Sequence, residues 1–528
     1  GAYWLPSVVH RYQRVMRVLL GAGGIYIGLV LCDQESDASR YVGLLLLAGT
    51  LLAVVTMDLF ASNAYQKKAV LSLTLTLTLV VNSNTGFRSG VGNYTESCVD
   101  AGEVQSLLTE IPAAAVSSLE DDSFYRVEQS ARRSNQAMGA GYYGTTSYFS
   151  VIPSGLTETY LDFNLNTAAQ SFDLRGFDAR ASLEALACVK YYCTEDANER
   201  YPYGFTLVSE QDGTLIYENQ YALSLGYTYT SYMTESVYNA LNFAEKQQAV
   251  LQNAVVSDET AQALDEAGLE EGESDLTVQE VDCQVKNTHG LTLDEESKTI
   301  TVEEENASIT FTFDGAADCE TYLYLEGINY ASDESGGLCE VKVKANGTTT
   351  IARLHGKRQT YYFETSGFSF NLGYSEDGTT ECTLSFSEPG EFTYENFRVF
   401  CLPMEDYVED VTALGQEMME NIVEDGDSVT GTISASSTRL LTFSIPYTKG
   451  WTLWVDGEET ELLQVDKLYM GAVVEAGDHE IVLKYSMPWL KIGMAASGTA
   501  LAAIAVRGMW VLLRRKSGPA RAKQKEKN

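Results

Sequence analysis

The run YVGLLLLAGTLLAVVTMDLF, Tyr41 to Phe60, holds one charge, Asp58 near its far end. An apolar stretch of that length matches the hydrocarbon thickness of a bilayer, and within it the backbone can satisfy its polar groups only as a helix. Every other segment must then lie on one side of a membrane or cross it. VMRVLLGAGGIYIGLVLC, Val15 to Cys32, predicts a second span, with Arg17 long enough to snorkel toward a headgroup layer. PWLKIGMAASGTALAAIAVRGMWVLL, Pro488 to Leu513, predicts a third, with Trp489 and Trp510 at the depths where indoles settle. Its Gly493/Ser497 and Gly498/Ala502 spacings suit close helix packing, or follow simply from an Ala/Gly-rich composition.

Charge sets the direction of each crossing. Arg11, Arg14 and Arg17 precede the first span and Asp33, Glu35 and Asp37 follow it, so it runs outward, and Tyr41 to Phe60 returns to Lys67 and Lys68. The last span has to end inside, before Arg514, Arg515 and Lys516. That demands one more outward crossing, which only Ala69 to about Val81 can supply. Its Leu/Thr alternation has the period of a half-buried strand, but a helical threonine can bond the carbonyl one turn back. The chain opens on GAYWLPSVVH, which lacks the basic region and cleavage site of a signal peptide. The expectation is the C-terminal part of a longer multi-pass membrane protein.

The net charge of -37 conceals a split: the tail RRKSGPARAKQKEKN is basic, leaving about -43 for the rest. So acidic a body repels phosphate backbones and excludes nucleic acid as a partner. Gly139, Gly141 and Gly144 fall in the spacing G-x-G-x-x-G, which in dinucleotide-binding folds follows a strand and opens a helix. Here the strand-like FYRVE ends well before Gly139, and the run after Gly144 is β-branched and aromatic and soon reaches Pro153. The stretch also lies on the extracytoplasmic side, where NAD is not a working cofactor. A glycine-loosened turn is the expectation.

The fold class expected is polytopic α-helical membrane segments plus extracytoplasmic α/β and β-sandwich, jelly-roll-like, domains. Residues 1–82 read as the last transmembrane helices of a larger membrane domain and 83–256 as an α/β domain containing the helix DARASLEALA. Residues 257–282, acidic and poorly periodic, read as a linker or solvated helix. Strands such as KTITVEEE, ASITFTFDG and CEVKVKANG, separated by Gly, Asp and Asn turns, predict a β-sandwich over 283–403. A helix and a β-rich membrane-proximal region occupy 404–487, where Asp456-Gly457 signals a type I′ hairpin. The last span takes 488–513 and a basic cytoplasmic tail 514–528.

Chemistry is sparse. The four histidines, His10, His289, His355 and His479, show no metal-ligand spacing, and no nucleophile elbow is present. Eight extracytoplasmic cysteines permit disulfides or buried free thiols. RGFDAR brings Arg175, Asp178 and Arg180 close in sequence, with Lys190 following on VKYY; they form either a structural ion-pair cluster or a substrate-binding site. Trp451 and Trp454, three apart on GWTLWVDG, face opposite sides of a strand, one toward the core and the other free to stack on a sugar or lie near the membrane.

YRVE at Tyr125 to Glu128, LEALACVKYY at Leu183 to Tyr192, ENQYALSLGY at Glu218 to Tyr227, and above all IPYTKGWTLWVDG through GAVVEAGDHEIVLKY resemble the bacterial YfhO membrane proteins over essentially the whole chain. In the C-terminal block Pro446, Tyr447, Gly450, Trp451, Asp456, Gly457, Gly477 and His479 carry the resemblance. It implies a relative of the GT-C glycosyltransferases, multi-pass enzymes of the bacterial cell membrane that take a sugar from a polyprenyl-phosphate carrier. The implied acceptor is a cell-envelope glycopolymer such as lipoteichoic acid. In GT-C enzymes the catalytic acid lies in the first outer loop, upstream of where this chain begins, so no catalytic residue carries over. An acid or base must still activate the acceptor hydroxyl, and a divalent cation can neutralise the carrier phosphate in the full-length protein. The alternative is a non-catalytic, membrane-anchored glycan-binding or scaffolding protein.

Overall fold

The computed structural model describes residues 112–516 except 131–134, 166–172, 198, 200, 332–335, 360, 361 and 363–365, together with Ser72, Thr76 and Gly102–Val104. The chain divides into two compact units, Gly1–Thr109 and Glu110–Asn528, and every described strand belongs to the second. The N-terminal spans expected at Val15 to Cys32 and Tyr41 to Phe60 lie outside the described residues, as does Ala69 to Val81 apart from the helical Ser72 and Thr76. Asp33, Glu35 and Asp37 lie outside them too. The described part is mostly β-sheet with few helices.

A four-stranded sheet runs in the order Arg126–Gln129, Val189–Thr194, Thr214–Asn219, Phe205–Gln211, its first pair parallel and the others antiparallel. The helix Ala181–Leu186 feeds it and is buried on every side, with Leu183, Leu186 and Ala187 each 4% exposed. Helix Phe243–Gln252 starts on a capping box: the Asn242 side chain accepts from the Glu245 amide, and Glu245 accepts from the Asn242 amide. The acidic stretch read as a linker or solvated helix holds a helix in its first part. Ser257 caps helix Asp258–Glu266, whose buried Ala261 and Leu264 join the same core as Leu269. The acids occupy the outer face, and they mask a short apolar stripe from a reading based on composition.

The central lobe consists of antiparallel sheets that share one core. One has the order Gln279–Val281, Asn396–Pro403, Cys319–Glu326, Phe368–Ser375, and the other Gln284–His289, Ala307–Thr312, Glu381–Phe386, Leu338–Ala345, Thr348–His355. Alternate residues such as Ile309 and Phe311 from one, and Leu323, Leu325 and Phe370 from the other, meet between them. A third small sheet, Leu291–Asp294, Thr299–Val302, Gly390–Thr393, Asn329–Tyr330, closes one end of that core with Ile300 and Phe392.

After helix Met404–Leu414 the chain builds a five-stranded sheet in the order Glu420–Asp425, Ser428–Ala435, Gly477–Tyr485, Trp451–Val455, Glu458–Thr460. Its neighbour, Leu463–Val465, Tyr469–Val474, Arg439–Pro446, is completed by Gly226–Tyr229 from the first lobe, with Leu441 opposite Thr228. The expected hairpin forms at Asp456-Gly457, with φ of 54° and 83°. EETELLQV does not continue as one strand: Glu458–Thr460 stays in one sheet and Leu463–Val465 enters the other. The helix Leu490–Lys516 comes next, and its segment Leu490–Trp510 is long and apolar enough to cross a membrane. It is the one such helix among the described residues.

Candidate functional site

The residues singled out in the sequence fall into three places. Arg180 is fully buried. Its guanidinium donates to Phe163 O and to Ser369 Oγ, each at 2.7 Å, sits 3.8 Å from Asp178 Oδ2, and lies 5.1 Å from the Tyr322 ring centroid. A charge so enclosed requires such partners, and with them it ties the first lobe to the central one. The backbone before it is unusual, because Asp178 and Ala179 both take positive φ, 60° and 54°. Asn371 holds that turn by donating to both of their carbonyls, at 3.0 and 3.1 Å. The structure thus joins Asp178 and Arg180 as an interior pair, with no face of Arg180 turned to solvent. Arg175 stands apart in the strand Asp173–Arg175, opposite Thr146 and half-buried.

Lys190 belongs to a different cluster. Its ammonium is 2.6 Å from Asp121 Oδ2 and 3.9 Å from Glu218, and the Tyr191 hydroxyl donates to the same Asp121 oxygen at 2.7 Å. Burial works to raise the Asp121 pKa, but Lys190 and the Ser123 and Tyr191 hydroxyls together hold it well below the usual carboxylate range. The tryptophans lie far along the chain in the strand Trp451–Val455. Trp451 packs on the core side against Tyr485, ring centroids 5.3 Å apart, while Trp454 points to the opposite face.

The glycines Gly139, Gly141 and Gly144 do not open a helix. They cluster at the end of a short one, Gln136–Ala140: Gly139 is inside it, Gly141 ends it at φ 77°, and Gly144 packs where a Cβ would come within 2.8 Å of Ala137. The seven described cysteines, among them Cys188, Cys193 and Cys339, are free thiols, and burial pushes those of Cys193 and Cys382 well upward. Among the described residues no three His, Cys, Asp or Glu side chains converge to hold a metal ion, so the divalent cation implied by the resemblance finds no ligand set there.

A feature that sequence reasoning missed is an open cleft of about 550 Å³ at the end of the central lobe, lined by Tyr330, Leu338, Glu388, Pro389, Gly390 and Glu391. The Tyr330 ring is fixed by Phe392 at 4.6 Å, and the Ala331 amide donates to Glu391 O at 2.9 Å. Burial pushes the Tyr330 phenol above its ordinary range, so it remains a neutral donor and acceptor. A ring, an apolar floor and two carboxylates suit a neutral hydroxylated ligand, whose hydroxyls donate to the acids, better than an anion. The signal was faint: SEPGEF reads as a turn, and its tertiary neighbours Tyr330 and Leu338 lie about fifty residues earlier.

An acidic, β-rich body is joined to a helix long and apolar enough to cross a membrane. The chain matches the family described as "Bacterial membrane protein YfhO" over residues 7–497, and it belongs to that family. It is 25% identical over 465 residues to the "Uncharacterized protein YfhO" of Bacillus subtilis (strain 168), an alignment covering 85% of this chain and 48% of the relative. The chain thus spans about half the length of that relative. Among solved structures, a mutant of the arabinofuranosyltransferase AftD from Mycobacteria aligns with 87% of this chain and 72% of its own, at 9% identity and a TM-score of 0.32. The C-terminal CBM6 module of LamC, a marine laminarinase from Zobellia galactanivorans, aligns over 99% of its length and 24% of this chain, at 14% identity and a TM-score of 0.18.

Proposed function

We propose that this chain is the C-terminal part of a membrane glycosyltransferase that moves a sugar from a polyprenyl-phosphate donor to a cell-envelope glycopolymer such as lipoteichoic acid. Membership of the YfhO family over residues 7–497 carries the reading, through that family's resemblance to GT-C enzymes. In this reading the membrane part holds the donor, the described lobes face away from the cytoplasm, and the Tyr330 cleft holds neutral units of the acceptor. Lys190 and Trp454 are further positions where the acceptor can touch the lobes.

The test uses the full-length protein in proteoliposomes with a polyprenyl-phosphate sugar and a purified polymer. Sugar transfer is expected, and Tyr330→Ala should raise the KM for polymer several-fold while leaving donor hydrolysis unchanged. If no sugar is transferred to any polymer but the protein still binds glycan through the cleft, the non-catalytic glycan-binding reading replaces this one.

A further inference from the structure

The segment from Met138 to Val151 contains no charged residue, in a chain with 73 acids and 36 bases. It nevertheless displays large apolar side chains: Met138 is 83% exposed, Val151 77% and Phe149 63%, with Tyr143 and Tyr148 close to half. The segment is built to present them. Asn135 closes it by exchanging hydrogen bonds with the Tyr148 backbone, 2.8 Å in each direction, and Gly144 bridges back to Val127. Apolar side chains concentrated in this way on one hydrogen-bonded loop mark a contact surface.

Strand register shows which way the loop faces. The Tyr143 hydroxyl donates to Glu424 Oε2 at 2.5 Å, and its ring packs on Phe124 at 4.6 Å. Glu424 pairs with Val429, and Val429 pairs with Leu483 in the strand Gly477–Tyr485, which leads through a turn at Pro488 and Trp489 into the helix Leu490–Lys516. Two strand spacings separate Glu424 from Leu483, about 10 Å, and the chain from Leu483 to Leu490 reaches at most about 24 Å. Tyr143 is therefore held at the end of the sheet from which the span departs. The turn beside that exit carries the exposed Tyr447 and Lys449, locked to it by the Ser486 amide donating to Gly450 O at 2.8 Å, and Trp489 stands 78% exposed just before the helix. Tyr, Trp and Lys at such a position are the residues that settle at a membrane interface.

We infer that the loop Met138–Val151 is a further membrane contact of the lobes, seated in the headgroup layer of the leaflet from which helix Leu490–Lys516 emerges. A loop seated in the headgroup layer beside the exit of the helix fixes the tilt of the lobes against the membrane. The absence of charge in the loop matters here, because the acidic surface elsewhere is repelled by anionic headgroups.

The full-length protein is reconstituted in phosphatidylethanolamine–phosphatidylglycerol vesicles, with an environment-sensitive fluorophore on Phe149→Cys, on Val151→Cys and, as a control, on Ile351→Cys in the strand Thr348–His355. All three positions are exposed, so the core is left intact. The unaltered protein supplies the background from native thiols. The loop labels should emit to the blue of the control, lose most of their emission to a lipid carrying a headgroup-proximal spin label, and resist aqueous iodide several-fold better. Quenching by iodide equal to that of the Ile351 label would overturn the inference and leave the loop in water. Protection from both iodide and spin-labelled lipid would also overturn it, and would mean that protein covers the loop.

Discussion

Arg180 and Ser369 stand 189 positions apart in the chain and meet through a 2.7 Å hydrogen bond from the guanidinium to the hydroxyl. The same guanidinium reaches Phe163 O in the first lobe, so a single buried charge fastens the two lobes to each other. Replacing it by alanine leaves Asp178 in the interior without its cation and opens a hole between the Phe243 and Tyr322 rings. Arg180→Ala should cost about 3–5 kcal/mol, read as a lowered denaturant midpoint. Arg180→Lys should recover only part of the loss, since an ammonium cannot reach both acceptors in the plane of a guanidinium fork.

Asp466 supplies a pH dependence. Its carboxylate accepts from the Val255 amide at 2.8 Å and the Tyr229 hydroxyl at 3.1 Å beside a small apolar cavity, and burial pushes its pKa from 3.8 up to about 7 against the pull of those two bonds. The folded state therefore holds this proton more tightly than the unfolded chain does. The stability it contributes is full below the unfolded value of 3.8 and is lost as the pH rises to about 7. The melting temperature should fall from about pH 5 to about pH 8, and Asp466→Asn, which mimics the protonated acid, should flatten that slope.

His479 in the strand Gly477–Tyr485 faces Asp456 in the hairpin turn, Nδ1 to Oδ2 at 2.7 Å, while the imidazole Nε2 meets Glu475 O at 3.1 Å. The Asp456 bond lifts the His479 pKa above its ordinary value. Asp456→Asn keeps a side chain that tolerates the φ of 54° at that position but removes the charge. An NMR titration of His479 should then show its pKa moved down toward the ordinary 6.5. An unchanged midpoint would mean that the Glu475 carbonyl, not the carboxylate, sets the value.

Orientation has its own test. Cysteine at Thr349, exposed in the central lobe, should react on intact cells with a thiol reagent that cannot cross the membrane, and cysteine at Ser517 in the basic tail should not. The opposite labelling pattern would invert the topology derived from Arg11, Arg14 and Arg17 against Asp33, Glu35 and Asp37.

Several local features are legible in the residues alone. Leu183, Leu186 and Ala187 mark the buried helix by their spacing, and Asp456-Gly457 marks its hairpin because few residue pairs accept two positive φ values in succession. Ile309 and Phe311 declare an inward face by alternation. The candidate site is arranged differently in the folded chain. RGFDAR places three ionic residues together in sequence, yet Arg180 turns inward to Ser369 while Arg175 stands apart in a strand opposite Thr146, because side-chain direction depends on burial that no local pattern encodes.

By itself the sequence determined what depends on neighbours in the chain: the apolar span near its C-terminus, the acidic body, the turns and the faces of strands. These follow from the length of an apolar run, from charge counts and from periods of two and 3.6 residues, all of them local. Only the tertiary structure decided that Gly226–Tyr229 completes a sheet with Arg439–Pro446, that Leu264 draws an acidic stretch into the core, and that Tyr143 bonds Glu424. Those pairings join residues that are tens to hundreds of positions apart. They are selected by which faces can be buried together at once, a competition among the whole set of elements that no single segment can settle.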